Sequence, residues 1–489
     1  MSVEAPKTDT KWIALILLAL AQFVVVLDAS IVNVALPSIG ADLEFSQENL
    51  PWVVNAYTLV FGGFLLLGGR MADLLGRRRL FMGGLVLFGV ASLLGGLSQT
   101  EGQLIAFRAL QGLGAALISP AALSLVTTMF AEGAERNKAL GVWGAVAGAG
   151  GAAGVLLGGI LTDALGWEWV LFVNTPIAIV AAVLAPRLIA ESRSGSASRT
   201  FDLAGAVSVT AGLSLLVYAL VDANDAGWGS SQTLSLLALT AGLLAAFVAI
   251  ELRSDAPLIP FRIFRLPTLR AANVIGLLIG MSLFSMFFFI SLYLQQVLGY
   301  GPLKAGFAYL PLALTIIVSA GVASQLVTRV GFKPVLVSGL ILITAGLVWF
   351  SRVSADGGYL GDVLFPSLLA AVGLGFAFVP VTIAAVTGVS NQEAGLASGL
   401  INTSQQIGGA LGLAILSAVA TSVSGAVRSL PRGEQAAALT EGFQSAFLVG
   451  AGFAALGVLL AVTLVSGRDS RAHVATVQSG DGEPVPVAA

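Results

Sequence analysis

Two ionisable residues lie inside long apolar stretches of this sequence, away from the ends at which the other charged residues lie. Asp28 interrupts the first apolar stretch and Arg108 the fourth. A charge at the centre of a bilayer costs at least about 2.5–3.5 kcal/mol, so such residues indicate a functional role. A carboxyl group there can bind and release a proton. The alternative is an ion pair with a purely structural role.

The positions of Asp28 and Arg108 allow the two side chains to meet. Asp28 precedes Pro37 by nine residues, which places it about 13 Å from the outer end of its helix, and Arg108 follows Gln103 by five residues, about 8 Å from the same surface. An Arg side chain can bridge the difference. If Arg108 moved between two conformations, Asp28 would alternate between binding and releasing a proton and, when ionised, would attract a cationic substrate.

The composition is that of an integral membrane protein. The chain has 489 residues, of which 57% are hydrophobic and 10% charged, and its mean hydropathy is +0.93. Soluble proteins have roughly 25% charged residues. Fourteen apolar segments of at least 18 residues predict an all-α protein with 14 transmembrane helices. The first segment exceeds the h-region of a signal peptide and contains Asp28, so we expect it to remain in the mature chain.

The charged residues predict the orientation and exclude several functions. Of the 24 Lys and Arg residues, 19 fall on the side of the two termini and 4 on the other side, so we expect cytoplasmic termini in the cell membrane. A net charge of -2 argues against nucleic acid as a partner. The chain has no Cys, which excludes disulfides, and it has one His, His473, which excludes a His-based metal site. We expect no metal and no cofactor.

The sequence contains an internal repeat. In the turn at 324–334, Gly331 and Lys333 lie 255 positions after Gly76 and Arg78 of the turn at 69–79. A glycine cluster recurs at an offset of 258, with Gly150, Gly151 and Gly154 matched by Gly408, Gly409 and Gly412. The two offsets nearly agree, and they equate spans 1–6 with spans 9–14.

Spans 7 and 8 are then an insertion, which gives a 6+2+6 arrangement. The predicted divisions are 1–190 for the first six-helix bundle, 191–252 for the inserted spans, 253–467 for the second bundle and 468–489 for a polar, disordered cytoplasmic tail. Parallel repeats of this kind place a substrate near the bilayer midplane and expose it alternately to each side.

Five segments resemble motifs of the 14-span drug:proton antiporters (EmrB/QacA type) of the major facilitator superfamily. They are Leu27–Pro37 in span 1, Gly69–Arg78 after span 2, Arg108–Gly114 in span 4, Gly150–Gly159 in span 5 and Trp167–Asn174 before span 6. The sequence departs from the family pattern at Leu74, Val155 and Glu168, where Arg, Pro and Arg are usual. Without Pro at position 155, we expect span 5 to be less kinked.

The resemblance implies a cytoplasmic gate and an antiporter helix. The gate residues would be Gly69, Asp73, Gly76, Arg77, Arg78, Glu132 and Glu135. Positive-inside topology alone also explains the arginines, but it does not explain Asp73 or Gly76. The helix seam would be Gly150, Gly154, Gly158 and Gly159, since small residues four apart share one helix face. Close packing without any role in transport is the alternative.

A substrate cavity is predicted from polar residues within spans and from aromatic residues of span 9. The candidates are Gln22, Asn33, Asn55, Gln111, Phe284, Phe288, Tyr293, Asn402, Gln405 and Gln406. The aromatic residues could instead face lipid or the core. No acidic residue lies within spans 9–14 away from their ends, which favours neutral or monovalent cationic substrates.

The function that these features favour is proton-driven efflux of amphipathic drugs or antibiotics by a monomeric carrier. A carrier dedicated to one metabolite or self-produced antibiotic, including a proton-coupled importer, remains an alternative. An ATP-driven pump is disfavoured because no Lys follows a Gly as a P-loop requires. A channel fits the repeat poorly, two isolated charges do not make an enzyme site, and a sensor would need an output domain.

Overall fold

The computed structural model describes residues 8–45, 50, 52–131, 133–192, 202–254, 257, 259–390, 393–425 and 431–479. Within them, every regular element is a helix. The α-helices are α1 (Thr8–Asp42), α2 (Trp52–Leu75), α3 (Arg77–Gly96), α4 (Glu101–Met129), α5 (Ala134–Leu165), α6 (Trp169–Phe172), α7 (Asn174–Leu188), α8 (Leu203–Ala226), α9 (Ser231–Glu251), α10 (Pro267–Leu292), α11 (Pro302–Ala308), α12 (Leu310–Val330), α13 (Phe332–Phe350), α14 (Phe365–Val386), α15 (Ala394–Ser424), α16 (Arg432–Leu464) and α17 (Gly467–Ser479). A 3₁₀-helix at Phe261–Arg265 and π-helical turns at Tyr293–Val297 and Tyr359–Leu364 complete the description.

Twelve of the described helices are long and apolar enough to cross a membrane. The bent helix α5 is a thirteenth if its two parts are counted as one span, and α8 contains a shorter apolar segment, Ala204–Leu220. The structure is therefore an all-α, multi-span membrane fold.

The helices pack in two groups. Helices α1–α7 pack mainly against one another and form the first bundle, and α10–α16 form the second. The two bundles meet along two seams, one between α2 and α15 and one between α5 and α12. Helix α8 covers the first seam, since Leu213 of α8 shares an apolar cluster with Leu66 of α2 and Leu400 of α15. Helix α9 packs against α8.

One side of the structure carries the beginning of α1, the α2–α3 and α4–α5 turns, the end of α16, and α17. Here Lys11 of α1 pairs with Glu135 of α5 at 3.7 Å, and Lys138 lies over the Trp12 ring. We call this the terminal side.

Helix α5 is bent although it has Val155 where the family usually has Pro. Its parts Ala134–Gly151 and Ala153–Leu165 meet at an angle of 42°. The expectation that this helix is less kinked than one with Pro stays a prediction. Glycines at 150, 151 and 154 remove side chains from the bend, and such glycine-rich turns allow kinks without Pro.

The tail also differs from the expectation, because residues 467–479 form a helix rather than a disordered segment. Ser466 accepts a hydrogen bond from the Asp469 N–H, as an N-cap residue does. Ser470 and His473, three residues apart on one face, are buried. Residues 480–489 of the predicted tail lie outside the described residues.

Candidate functional site

Asp28 and Arg108 form a buried ion pair in the first bundle. The Nη1 atom of Arg108 lies 2.6 Å from Oδ2 of Asp28, and both side chains are at most 1% exposed. The structure thus brings together the two residues whose depths predicted a contact.

Amide groups surround the Asp28 carboxylate. The side-chain N–H groups of Gln111 and Asn174 each donate to Oδ1 of Asp28 at 2.8 Å. Both amides also donate to the Ser92 hydroxyl, at 3.0 and 3.1 Å, and this hydroxyl donates to the Leu171 carbonyl at 2.8 Å. Each oxygen of Asp28 therefore has a nitrogen donor, as a buried carboxylate requires.

Arg108 is also bound to the first turn of α2. Its Nε–H donates to the Val53 carbonyl at 3.0 Å, and its guanidinium carbon lies 4.5 Å from the centre of the Tyr57 ring. The Tyr57 hydroxyl donates to the Val25 carbonyl of α1 at 3.1 Å. Helix α2 thus contacts the guanidinium by a hydrogen bond and by a cation–π interaction.

Local sequence explains how α4 presents Arg108. The Thr100 hydroxyl caps the helix by accepting from the Gln103 N–H at 3.4 Å, so Arg108 lies two turns inside. Gly112, one turn later, lets α4 approach α2, because a Cβ atom there would lie 2.4 Å from the Tyr57 carbonyl.

The predicted antiporter seam packs α5 against α1 within the first bundle. A Cβ atom at Gly154 would lie 2.7 Å from the carbonyl of Leu27, the residue before Asp28. Close approaches of the same kind occur at Gly150 and Gly158, and Gly159 is buried. These glycines bring α5 next to the turn of α1 that carries Asp28, whereas contacts with the second bundle use other residues of α5.

A second buried carboxylate, Asp73, lies at the seam between α2 and α15. Its Oδ1 atom is 2.8 Å from Nη2 of Arg77 and accepts from the Gly395 N–H at 3.1 Å, while its Oδ2 atom accepts from the Leu396 N–H at 3.0 Å. The two backbone donors belong to the first turn of α15, where N–H groups lack partners within the helix. Asp73 therefore caps a helix of the other bundle, and a negative charge there is stabilised by the helix dipole.

Glycines allow the two helices to approach beside Asp73. A Cβ atom at Gly69 would lie 2.6 Å from the Gly395 carbonyl and 3.0 Å from Cα of Gly399. Gly76 ends α2 with φ at +110°, a conformation that side chains other than Gly rarely adopt. The gate residues Gly69, Asp73, Gly76 and Arg77 are thus found together.

Arg78 and Glu135 lie on the same side but away from Asp73. Glu191, after α7, accepts from the Arg78 N–H at 3.2 Å, and Arg78 Nη1 donates to the Ile189 carbonyl at 3.0 Å. Glu135 pairs with Lys11 instead. The contribution of Glu191 was missed because a single acid after an apolar helix resembles an ordinary end of a span.

Two predicted residues cannot be placed. Glu132 lies outside the described residues, and for Phe284 only the helical backbone is described.

The predicted cavity residues occupy several environments. Gln111 belongs to the Asp28 network, Asn33 is exposed and donates to the Ala29 carbonyl of its own helix at 3.0 Å, and Phe288 is exposed. The Tyr293 hydroxyl donates to the Ser354 carbonyl at 2.6 Å, in the connection between α13 and α14.

The remaining candidates stay predictions. Asn402 of α15 lies at the interface of the bundles, where the Ser119 hydroxyl of α4 is 3.5 Å from its Oδ1 atom. Gln405 packs against α10 near Gly276, Gln22 is buried in α1, and Asn55 and Gln406 are half-buried. Among the described residues, no three His, Cys, Asp or Glu side chains are placed to hold a metal ion.

The sequence matches the model of the Major Facilitator Superfamily over residues 18–413. The chain belongs to this superfamily. It is 45% identical over 415 residues to the cephamycin export protein CmcT of Amycolatopsis lactamdurans, covering 84% of this chain and 85% of that one. It is 41% identical over 465 residues to the puromycin resistance protein pur8 of Streptomyces alboniger, covering 93% and 90%.

Solved structures of the superfamily share the fold. The proton:xylose symporter XylE superimposes with a TM-score of 0.67 at 13% identity, covering 94% of this chain and 97% of that one. The human organic anion transporter MFSD10 gives a TM-score of 0.65 at 14% identity, covering 93% and 100%. The protein is therefore a membrane transporter and not an enzyme, and its relatives export or confer resistance to antibiotics.

Asn174 and Ser92 are the partners of Asp28 that sequence reasoning missed. Asn174 is the last residue of the motif Trp167–Asn174, so its place in that motif could have indicated a functional role. Ser92 is a small polar residue in an apolar helix and gives no pattern of its own.

Proposed function

We propose that this protein is a proton-driven efflux transporter for amphipathic, neutral or cationic drugs and antibiotics. It would lie in the cell membrane as a monomer, with both termini and the terminal side in the cytoplasm. The bent α5 and the apolar part of α8 would complete fourteen spans. The chain would then comprise a six-span bundle over 1–190, two inserted spans over 191–252, a six-span bundle over 253–467 and a cytoplasmic tail.

The observation that carries this proposal is the buried network around Asp28. Asp28 pairs with Arg108, and it is the one acidic residue in this network within the part of the chain that the structure describes. Burying an ion pair costs desolvation free energy, which a pair of neutral residues would avoid. We therefore infer that the charges have a function that neutral residues could not perform. Reversible protonation of Asp28 is such a function, and it would let the proton gradient drive transport without a cofactor. Each charge moved contributes about 2.3 kcal/mol per 100 mV of membrane potential.

Helix α2 offers a physical link between proton binding and access. Its first turn accepts the hydrogen bond from Arg108 through Val53, and its last turn carries Asp73. These residues are 20 positions apart, about 30 Å along one helix. A movement of α2 that opens the seam with α15 would also pull on Arg108, which would then leave Asp28 free to take up a proton.

The Asp73 cluster would serve as the cytoplasmic gate. Its hydrogen bonds to the N-terminus of α15 join the two bundles on the terminal side, so they must break when that side opens. Substrate would then enter between the bundles, where Asn402 and Ser119 meet. The other predicted cavity residues on α1, α2 and α15 remain candidates for contacts with it.

A narrower function is equally compatible with the relatives. The names of two of them each mention one antibiotic or antibiotic class. This favours, as a second candidate, a carrier dedicated to a single compound made by the cell that carries it.

A growth-inhibition panel would test both functions. An efflux-deficient bacterium expressing the protein would be exposed to puromycin, a cephamycin, lincomycin and ethidium, with and without a protonophore. We expect protection that the protonophore abolishes, against several compounds for a multidrug pump and against one for a dedicated exporter. Protection that persists with the protonophore would contradict proton coupling.

The matched variants are Asp28→Asn and Asp222→Asn. Asp222 is outside the network and accepts a hydrogen bond from Gln232 at 2.8 Å. Loss of protection in the first and its retention in the second would link the function to the buried carboxyl rather than to any acidic residue.

A further inference from the structure

The two seams between the bundles are related by the internal repeat. An offset of 255 takes Gly69 of α2 to Ser324 of α12, and an offset of 258 takes Gly399 of α15 to Gly141 of α5. The contacts correspond: Gly69 approaches Gly399, and a Cβ atom at Gly141 would lie 2.7 Å from Cβ of Ser324. The seam between α5 and α12 therefore occupies the position of a second gate.

The second seam lacks the charges of the first. The same offsets take Asp73 to Thr328 and Gly395 to Asn137. Where Asp73 accepts from the Gly395 N–H, Thr328 accepts from the side-chain amide of Asn137 at 3.2 Å. The Ser324 hydroxyl adds a hydrogen bond of 2.6 Å to the Asn137 carbonyl. The hydrogen bonds that join Asn137 of α5 to Thr328 and Ser324 of α12 are thus neutral.

Helix α17 supplies an additional contact at this seam. His473 is 5% exposed, and its Nε2 atom lies 3.0 Å from Nδ2 and 3.1 Å from Oδ1 of Asn137. The tautomer of His473 decides the direction: Nε2 either accepts from the Nδ2–H group of Asn137 or donates to its Oδ1 atom, so one of the two contacts is a hydrogen bond in either case. The His473 ring also packs edge-on against Phe332, which stands where the repeat has Arg77.

The second bundle holds α17 in place. The Ser470 hydroxyl accepts from the Lys333 N–H at 3.1 Å, and the Thr268 hydroxyl donates to the Asp469 carboxylate. Gly331 allows this packing, because a Cβ atom there would lie 2.3 Å from the Ser470 hydroxyl oxygen. Through His473, the same helix then reaches Asn137 of the first bundle.

We propose that α17 is a latch of a second cytoplasmic gate: it stays on the second bundle, and its His473 binds Asn137 of α5 to hold the seam closed. The contact replaces the Asp73 interaction that the repeat has lost, and it breaks each time the terminal side opens. This inference rests on the alternating access of the proposed function but not on proton coupling.

The chain has no cysteine, so a single introduced thiol can report on the opening of the seam. Ser119→Cys places it between the bundles, at a residue with no exposed surface. In inverted membrane vesicles, the rate of reaction with a membrane-impermeant maleimide measures access from the terminal side. We expect His473→Ala to raise this rate about fivefold, the effect of one neutral hydrogen bond. Asn137→Ala, which also removes the hydrogen bond to Thr328, should raise it at least as much.

Two further variants separate a latch from general loosening. Arg471→Ala, on the exposed face of α17, should leave the rate unchanged. The double variant of His473 and Asn137 should react no faster than the faster single variant, because both remove the same contact. Unchanged rates in the single variants, or increases that add in the double variant, would overturn the latch. The assay needs no substrate, so a failure of the proposed efflux function would be seen separately, in the growth panel.

Discussion

Two buried Asp–Arg pairs in this transporter have the same chemistry and different surroundings. Asp28 of α1 and Arg108 of α4 receive all their described hydrogen-bond partners from the first bundle, on α1, α2, α4 and α7. Asp73 and Arg77 lie on one helix, α2, and Asp73 binds the N-terminus of α15 in the second bundle. The location of the partners, rather than the residue types, distinguishes the two pairs.

This difference suggests a division of roles. Rocking of one bundle against the other must break the bonds of Asp73, whereas it reaches those of Asp28 only through a movement of α2 within the first bundle. A group that binds a proton in each cycle needs a stable cage of partners, and a gate needs bonds that cross the moving interface. The following variants test this division, in order of decreasing expected effect.

Arg108→Ala should have the largest effect, because it leaves the Asp28 carboxylate buried without its countercharge. Breaking a buried pair in this way costs about 3–5 kcal/mol. We expect complete loss of protection in the growth panel and a lower melting temperature of the purified protein. Arg77→Ala is the matched control: Asp73 keeps two backbone donors at the positive end of α15, whereas Asp28 keeps only the neutral amides of Gln111 and Asn174, so the loss of stability in Arg77→Ala should be smaller. Equal losses would remove the distinction between the pairs.

Asp73→Asn should reduce transport without abolishing substrate binding. The neutral Asn side chain cannot form an ion pair with Arg77. The substitution also removes a negative charge whose interaction with the N-terminus of α15 is worth about 0.3–2 kcal/mol. We expect an efflux rate about tenfold lower and faster maleimide reaction at Ser119→Cys from the terminal side. Glu135→Gln, which loses only the partly exposed pair with Lys11, should behave like the parent. If Asp73→Asn leaves the rate of maleimide reaction at Ser119→Cys unchanged, Asp73 has no role in the gate.

Asn174→Leu should have an intermediate effect on efflux. It removes one donor to the Asp28 carboxylate, and hydrogen bonds to charged groups contribute about 1.5–3 kcal/mol. Thr175→Val, its neighbour on α7, is the control, since the Thr175 hydroxyl donates only to the Gly89 carbonyl within the described contacts. Initial efflux rates in vesicles should fall in the Asn174 variant alone. Similar rates in both variants would show that the amide does not tune Asp28.

The smallest expected effect is a pH dependence of stability at the second seam. Burial, followed by the charge of Arg136, lowers the pKa of His473 to about 4 from its usual 6.5. The unfolded chain then binds the proton more readily, so stability is complete above pH 6.5 and decreases as pH falls towards 4. His473→Gln should show a flatter profile of melting temperature over this range. A steeper profile in the variant would contradict the buried neutral histidine.

The Asp28–Arg108 contact could be predicted because both residues are charged and lie in apolar helices. In such helices the number of residues from the helix end gives the depth of each residue in the membrane. The sequence also predicted most of the Asp73 cluster, since the glycines and charges of that turn form a motif. The partner of Asp73 could not be predicted, because the donors are backbone N–H groups of Gly395 and Leu396, which no side chain reveals. Backbone groups at a helix terminus become a binding site only after the tertiary fold brings them to it.

The error in the tail has a different physical reason. Helix α17 was expected to be disordered because its composition is polar, yet Ser470 and His473 are buried and Asp469 accepts a hydrogen bond from Thr268 of α10. A few residues at one face outweighed the average character of the segment.

The most direct test of the central claim is proton release on substrate binding by purified protein in weakly buffered detergent solution. The substrate would be the compound against which the parent gives the strongest protection. We predict that the parent and Asp73→Asn release protons when it binds, and that Asp28→Asn releases none although it still binds the compound. Undiminished release from Asp28→Asn would contradict the assignment of proton coupling to Asp28.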